Sequence, residues 1–152
     1  MSESSIGCTE RDSPSSHPRL PLVLIVEDTA DLRDLFATEL ATGGFLVIDA
    51  ADGETALDKA RRFEPHAIVL DLMLPGIDGF ALARLLRTEG RTRDAAIVAV
   101  TALASGHHRT LAIESGCDSC LSKPVLGAEI AQEVTRILKE RGTSADLTRL
   151  RG

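Results

Sequence analysis

Aromatic side chains are scarce in this sequence. Its 152 residues include four Phe and neither Tyr nor Trp. Modules that bind single-stranded nucleic acid stack bases on aromatic side chains, so this class of protein is not expected. Basic residues are also in the minority, with 17 Lys and Arg against 23 Asp and Glu and a formal net charge of −6. That charge argues against nonspecific binding to DNA or to anionic membranes, and we expect no direct contact with nucleic acid.

Cysteines and long apolar runs are few. Cys8, Cys117 and Cys120 make an odd number, which is not a disulfide framework and is typical of a reducing compartment. No stretch approaches the run of about 20 apolar residues that a membrane helix needs. The start, MSESSIGCTE, lacks the basic and apolar regions of a signal peptide. We therefore expect a cytoplasmic protein with no membrane insertion.

The composition, 43% hydrophobic and 26% charged, is that of one globular domain large enough to fold without a disulfide. Residues 1–19 are rich in Ser and Pro with little to bury, and we interpret them as a disordered extension. Residues 20–141 form the predicted domain. Residues 142–152 form a short tail.

Apolar segments alternate with segments of helical periodicity along this domain. The five apolar segments are predicted strands, at residues 22–26, 45–48, 67–70, 95–100 and 119–121. Helical spacing recurs between and after them, near residues 32–40, 56–63, 82–86, 108–114 and 125–138. This alternation predicts an α/β domain with a parallel sheet and right-handed crossovers.

Polar side chains follow four of these strands where each strand ends. Glu27 and Asp28 follow the first strand, Asp71 the third, Thr101 the fourth and Lys123 the fifth. Ligands of open parallel sheets bind at the carboxyl ends of the strands, so these residues are predicted to share a site. Three neighbouring carboxylates repel one another unless a cation neutralises them, and Mg²⁺ suits such oxygen ligands. The added ammonium and hydroxyl favour phosphoryl transfer to a carboxylate, which yields an acyl phosphate.

Four stretches resemble the receiver domain of bacterial two-component response regulators. They are LIVED at residues 24–28, DLMLPGIDG at 71–79, VTA at 100–102 and KP at 123–124. The resemblance spans about residues 21–141. It implies a flavodoxin-like (βα)5 fold, a doubly wound parallel sheet with strand order 2-1-3-4-5. It also implies a cis peptide between Lys123 and Pro124.

The resemblance further implies a metal site and a phosphoacceptor. Asp71 is expected to be phosphorylated by a histidine kinase or a phosphotransfer protein. Asp28 and Asp71 are expected to bind Mg²⁺ directly together with the Met73 carbonyl, while Glu27 acts through water.

The same resemblance implies three groups around the phosphoryl oxygens. Lys123 is expected to pair with the phosphoryl group, and Thr101 to move and hydrogen-bond to it. The Ala102 amide is expected to assist. The protein would then catalyse its own phosphorylation and slow dephosphorylation without being a turnover enzyme.

The fifth strand departs from the family pattern at one position. Many receivers carry Tyr or Phe three residues before the conserved Lys, and this chain carries Cys120. The coupling between Thr101 and an aromatic ring cannot operate in its usual form. We expect the conformational response to rest on Thr101 and the loop after the fourth strand, or to be weak.

Two further groups have simpler explanations. The CxxC of Cys117 and Cys120 is interpreted as two small buried hydrophobes, with a thiol-sensitive switch as the alternative. The segment 107–109 (His-His-Arg) is predicted to be a solvated loop and not a ligand set. The arginines of the third helix and the loop after it are predicted to form a solvated face; they are Arg84, Arg87, Arg91 and Arg93.

These observations predict a stand-alone receiver that signals through protein–protein contacts with a downstream target. Receivers commonly use the last helix as a dimer surface, so the resemblance also implies a possible homodimer. One alternative is a phosphorelay intermediate that passes the phosphoryl group to another histidine. Another is a Mg²⁺-dependent phosphohydrolase, although Met73 stands where haloacid-dehalogenase-type enzymes carry a second Asp. A constitutive binding module with a vestigial pocket is a third.

Overall fold

The structure is a computed structural model, and it describes residues 20–102 and 105–142. The predicted extension lies outside the described residues, as do residues 143–152 of the predicted tail. Five strands alternate with five helices: β1 (Leu22–Val26), α1 (Ala30–Thr42), β2 (Leu46–Ala50), α2 (Gly53–Phe63), β3 (Ala67–Asp71), α3 (Gly79–Thr88), β4 (Ala96–Thr101), α4 (Gly106–Glu114), β5 (Ser119–Ser122) and α5 (Gly127–Glu140).

The five strands form one sheet in the order β2-β1-β3-β4-β5, and every neighbouring pair is parallel. The predicted fold class and the strand order 2-1-3-4-5 are thus confirmed. The consequence for function is that β1 and β3 are neighbours, with Val26 paired to Leu70. The residues that follow these two strands therefore emerge side by side.

Helices cover both faces of the sheet, which explains why the strands are continuously apolar. In β1, Leu24 and Val26 face one core, and Val23 and Ile25 face the other. The first core is closed by residues of α2, α3 and α4: Ala56, Ala60, Leu82, Leu86 and Ala112. The second is closed by residues of α1 and α5: Phe36, Leu40, Ile130, Val134, Ile137 and Leu138.

Strand boundaries differ from the predicted ones by at most two residues, and helix boundaries by at most three. β3 and β4 extend one residue further, to Asp71 and Thr101, so both polar residues belong to the strands themselves. α4 begins at Gly106 and not at His108, because the Ser105 side chain accepts a hydrogen bond from the His108 amide and caps the helix there. The segment 107–109 is accordingly helical, which agrees with the helix predicted near residues 108–114 and shows that the loop predicted for the same segment was wrong.

Some predicted apolar positions do not reach the core. Leu35 of α1 and Phe63 of α2 are about half exposed, and Leu85 of α3 is also exposed. Helical periodicity places these residues at the rim of an apolar face, where the neighbouring layer no longer covers them. Within the described residues, no helix is long and apolar enough to cross a membrane.

Arg87 is not part of a solvated face, and the prediction was wrong for this residue. Its guanidinium donates hydrogen bonds to the carbonyls of Gly116, Arg93 and Ala95 and to the carboxylate of Asp118. The Arg87 side chain is only 21% exposed, whereas that of Arg91 is 68% exposed. Arg87 therefore ties α3 to the amino ends of β4 and β5, on the side of the sheet away from the polar strand ends.

Candidate functional site

The carboxyl edge of the sheet brings three carboxylates together. Glu27 and Asp28 follow β1, and Asp71 is the last residue of the neighbouring strand β3. One carboxylate oxygen from each residue lies within 4.8 Å of the other two. Glu27 and Asp71 are buried, at 1% and 5% exposure, and Asp28 is exposed. The cluster is therefore open to solvent on the Asp28 side.

Lys123 supplies the cation of this cluster. Its ammonium donates to Glu27 Oε1 at 2.8 Å and to Asp71 Oδ2 at 3.2 Å. Burial acts to lower the pKa of Lys123, but hydrogen bonds and charge attraction from Glu27 and Asp71 outweigh it, and the pKa is raised above its ordinary value. The peptide bond from Lys123 to Pro124 is cis, as the resemblance implied.

The turn after β1 is held by hydrogen bonds to Glu27. The Glu27 amide donates to the Ala50 carbonyl at 3.1 Å, and the Thr29 amide donates to Glu27 Oε2 at 3.1 Å. Arg33 Nη1 donates to the Glu27 carbonyl at 2.9 Å. The Nε of Arg33 lies 3.8 Å from a carboxylate oxygen of Asp49. Sequence reasoning missed Arg33. The available indication was a cation at the fourth residue of a helix that begins two residues after Asp28.

The loop after β3 orients Asp71. The Met73 amide donates to Asp71 Oδ1 at 2.9 Å, so both oxygens of this carboxylate have a hydrogen-bond donor. Met73 is 55% exposed and lies outside the core. α3 then begins at Gly79, where a Cβ would lie 2.4 Å from the Leu72 Cα. This close approach requires glycine and holds the loop against the end of β3.

Thr101 and Ala102 complete the edge. Thr101 is fully buried at the end of β4, and the register pairs its neighbour Val100 with Asp71. The Lys123 amide donates to the Thr101 carbonyl at 2.9 Å, which joins the end of β4 to the start of the loop after β5. Ala102 is exposed, and the chain is described again from residue 105.

The residues of this edge fit a magnesium ion. Mg²⁺ binds one or two carboxylates and keeps several waters, and the open Asp28 side of the cluster provides room for them. The single ammonium of Lys123 offsets the charge of only one of the three carboxylates. The cluster therefore retains excess negative charge that a divalent cation would neutralise. The expected contribution of the Met73 carbonyl stays a prediction.

The two cysteines of the CxxC are buried and do not form a metal-binding cluster with other side chains among the described residues. Cys117 and Cys120 are both buried, and burial raises the pKa of Cys117 to about 12 and also raises that of Cys120. Neither joins a group of three or more close His, Cys, Asp or Glu side chains within residues 20–102 and 105–142. Burial and a raised pKa keep both thiols protonated, and a buried protonated thiol is a poor nucleophile and metal ligand. This supports the interpretation of Cys117 and Cys120 as small hydrophobic residues.

Comparison with known proteins assigns the family. The family model of the response regulator receiver domain matches residues 23–135. Among curated proteins, the chain is 36% identical over 117 residues to a probable transcriptional regulator, ycf27, of Porphyridium aerugineum, covering 77% of this chain and 48% of that protein. It is 34% identical over 120 residues to the DNA-binding dual master transcriptional regulator RpaA of Synechocystis, covering 79% of this chain and 50% of that protein.

These relatives bear on two expectations. The chain spans about half the length of the curated relatives it matches, so a stand-alone receiver is not confirmed. One relative is named as a DNA-binding regulator, which conflicts with the expectation of no direct contact with nucleic acid.

Solved structures agree on the fold and the family. The chemotaxis response regulator CheY4 of Vibrio cholerae is 26% identical, with a TM-score of 0.75, and the match covers 79% of this chain and 100% of that one. The receiver domain of the Francisella response regulator 1452 is 27% identical with a TM-score of 0.74, and the match covers 80% of this chain and 98% of that one. The chain therefore belongs to the receiver-domain family of two-component response regulators.

Proposed function

We propose that Asp71 accepts a phosphoryl group from a phosphohistidine of a histidine kinase or phosphotransfer protein. The observation that carries this proposal is the position of Asp71, a buried carboxylate whose Oδ2 faces the Lys123 ammonium at 3.2 Å beside two further carboxylates. Such an arrangement neutralises charge and fixes geometry, which are the main requirements of phosphoryl transfer.

The transfer is a displacement at phosphorus. A carboxylate oxygen of Asp71 forms the new O–P bond while the P–N bond of the phosphohistidine breaks. The electron pair of that bond goes to the imidazole nitrogen, which takes up a proton from solvent. The products are an aspartyl phosphate and a neutral histidine, and no redox change occurs.

The chain's own groups have distinct roles in this proposal. Lys123 already bridges Glu27 and Asp71, so its ammonium is in place to pair with a phosphoryl oxygen. Thr101 ends the neighbouring strand β4 and is proposed to donate its hydroxyl to another phosphoryl oxygen, with the Ala102 amide beside it. Asp28 and Asp71 would hold Mg²⁺, with Glu27 acting through water. When bound, the ion supplies neutralisation of the charge that gathers on the phosphoryl oxygens.

The test is phosphorylation by a small donor. The protein is incubated with acetyl phosphate and Mg²⁺, and intact mass is measured with and without alkaline treatment that cleaves acyl phosphates. One labile phosphoryl group is expected on the wild type and none on Asp71→Asn. Asp58→Asn, which alters an exposed carboxylate of α2, is the matched control and should be modified like the wild type. A wild-type protein that acquires no adduct from acetyl phosphate or from a phosphohistidine donor contradicts the proposal.

The metal requirement has its own variant. Asp28→Asn removes the exposed carboxylate of the cluster, so phosphorylation is expected to need at least tenfold more Mg²⁺. In Mg²⁺-free buffer the same change should raise the free energy of unfolding by about 1 kcal/mol, because it relieves repulsion among three close carboxylates. An unchanged Mg²⁺ dependence would remove Asp28 from the metal site.

A phosphorelay intermediate is the second candidate, and Cys120 in place of an aromatic residue in β5 favours it. A relay returns the phosphoryl group to a histidine, whereas a signalling receiver presents a changed surface to a target. Rapid transfer from the phosphorylated protein to a histidine phosphotransfer domain supports the relay. A partner protein, free or bound to DNA, that is retained only by the phosphorylated form supports signalling. The third candidate is a phosphohydrolase, which would need an acid at the position of Met73. Met73 is exposed and its thioether cannot donate a proton, so we expect no turnover of phosphate monoesters.

A further inference from the structure

Arg33 lies where β1, β2 and α1 meet. Its Nη1 donates to the Glu27 carbonyl at 2.9 Å, its Nε lies 3.8 Å from an Asp49 carboxylate oxygen on β2, and its side chain is 20% exposed. We infer that Arg33 is a positioning residue of the metal site. Its hydrogen bond fixes the peptide unit between Glu27 and Asp28, and this holds the Asp28 carboxylate in the place where it binds Mg²⁺. The inference rests on the proposed function.

Asp28 is the carboxylate of the cluster that lacks support of its own. Each oxygen of the Glu27 and Asp71 carboxylates has a hydrogen-bond donor. The Asp28 carboxylate is exposed, and in the described part of the chain it accepts no hydrogen bond. Its position beside the other two carboxylates is therefore set by the backbone that carries it.

The backbone before Asp28 is held by Arg33. The Glu27 carbonyl and the Asp28 amide belong to one planar peptide unit, so a donor bound to that carbonyl fixes the orientation of the whole unit. The first turn of α1 places Arg33 for this contact, because the Arg33 amide donates to the Thr29 carbonyl at 2.9 Å. Without the guanidinium, the peptide unit between the end of β1 and the start of α1 loses its donor.

The charge of Arg33 has the opposite effect to its hydrogen bond. A guanidinium bound to the Glu27 main chain repels a divalent cation at the neighbouring carboxylates, and Asp49 offsets only part of this repulsion. Charge alone therefore predicts that Mg²⁺ binds more tightly after Arg33 is removed. Positioning of Asp28 predicts weaker binding. The direction of the change in affinity decides between the two.

Titration with a metal ion tests the inference. The probe is Mn²⁺, which accepts the same oxygen ligands as Mg²⁺ and whose free ion is counted by electron paramagnetic resonance. Arg33→Met keeps the apolar length of the side chain and should bind Mn²⁺ about tenfold more weakly than the wild type. Arg33→Lys keeps the charge and one donor and should bind about threefold more weakly. Arg62→Met, which alters an arginine of α2 whose side chain is 64% exposed, is the control and should bind like the wild type.

Two further measurements separate positioning from a purely structural role. Urea denaturation in metal-free buffer reports whether each variant is folded, and labelling by acetyl phosphate reports the Mg²⁺ concentration needed for half-maximal modification. That concentration should rise in Arg33→Met by the same factor as the dissociation constant for Mn²⁺. If Arg33→Met does not fold, Arg33→Lys serves as the test variant, with the threefold change expected above.

Several results would overturn the inference. A folded Arg33→Met that is less stable but binds Mn²⁺ as tightly as the wild type would show that Arg33 only stabilises the junction. Tighter binding would show that its charge outweighs its hydrogen bond. A wild type that binds neither Mn²⁺ nor Mg²⁺ overturns the inference together with the metal site. A wild type that binds both ions but acquires no phosphoryl group contradicts only the proposed function.

Discussion

Lys123 and Glu27 lie 96 positions apart in the sequence, yet the Lys123 ammonium donates to Glu27 Oε1 at 2.8 Å. The Glu27 side chain is 2% exposed and that of Lys123 is 20% exposed, so the pair is largely shielded from solvent. It joins the two strand ends that lie furthest apart among those of the candidate site, after β1 and after β5. The charge balance of the whole edge depends on it.

Loss of this cation should destabilise the fold. Lys123→Met leaves two buried carboxylates without an ammonium, and we expect the free energy of unfolding to fall by about 3 kcal/mol at pH 7 in Mg²⁺-free buffer. Urea denaturation followed by circular dichroism measures it. Excess Mg²⁺ should restore part of the loss, because it neutralises the same carboxylates. Lys139→Met on the exposed side of α5 is the control and should change stability by less than about 0.5 kcal/mol.

Arg87 should be important for stability although it is distant from the site. Arg87→Ala leaves the Ala95 and Gly116 carbonyls and the Asp118 carboxylate without this donor, and we expect a loss of about 2–3 kcal/mol in the free energy of unfolding. Arg91→Ala removes an arginine whose side chain is 68% exposed and should cost less than about 0.5 kcal/mol. Equal effects of the two changes would show that the hydrogen bonds of Arg87 contribute no more than a solvated charge.

The glycine at the start of α3 should be irreplaceable. In Gly79→Ala the added methyl would lie 2.4 Å from the Leu72 Cα and 2.9 Å from the Asp71 carbonyl oxygen. Because both neighbours are backbone atoms, α3 or the loop has to shift, and we expect a loss of about 2–3 kcal/mol together with slower phosphorylation of Asp71. Gly90→Ala is the matched control, since its added methyl would meet no atom within 4 Å among the described residues. Thermal unfolding and acetyl phosphate labelling of both variants check the prediction.

His66 should make stability depend on pH. The Leu22 amide donates to His66 Nδ1 at 3.0 Å, so this nitrogen is an unprotonated acceptor, and burial lowers the pKa of His66 below its ordinary value of 6.5. As the pH falls through 6.5, the unfolded chain takes up the proton first, and the free energy of unfolding therefore falls. Urea denaturation between about pH 7.5 and 5.5 should show this decline in the wild type and a smaller one in His66→Gln. His107→Gln, at an exposed position, should retain the full decline.

Much of the fold follows from local sequence patterns. The apolar run of β1 predicts a strand covered on both faces, and Leu24 and Val23 do face opposite cores. The helical spacing of Phe36 and Leu40 predicts the buried face of α1, and both are buried. The patterns fail at the rims. Phe63 has the apolar character of a core residue, but the layer that would cover it ends before it.

The candidate site follows from the same patterns with one additional rule. Polar residues that follow the strands of a parallel sheet lie along the same edge of that sheet. This rule predicted that Asp71 and Lys123 belong to the same site. Arg33 and Arg109 were not found in this way. Their partners are the carbonyls of Glu27 and Cys120, which are backbone atoms that any residue supplies. No residue type marks such a partner in the sequence.

The sequence by itself determined the alternation of strands and helices and the chemistry that stands at the strand ends. These properties depend on residues close together in the chain, whose side chains alternate or recur with the period of a strand or a helix. Only the tertiary structure decided which strand ends meet. The order of the strands places Asp71 beside Glu27 and pairs Ser122 with Thr101, and it turns Arg87 inward and Arg109 toward β5. Those contacts arise from packing between segments far apart in the chain, which local periodicity does not encode.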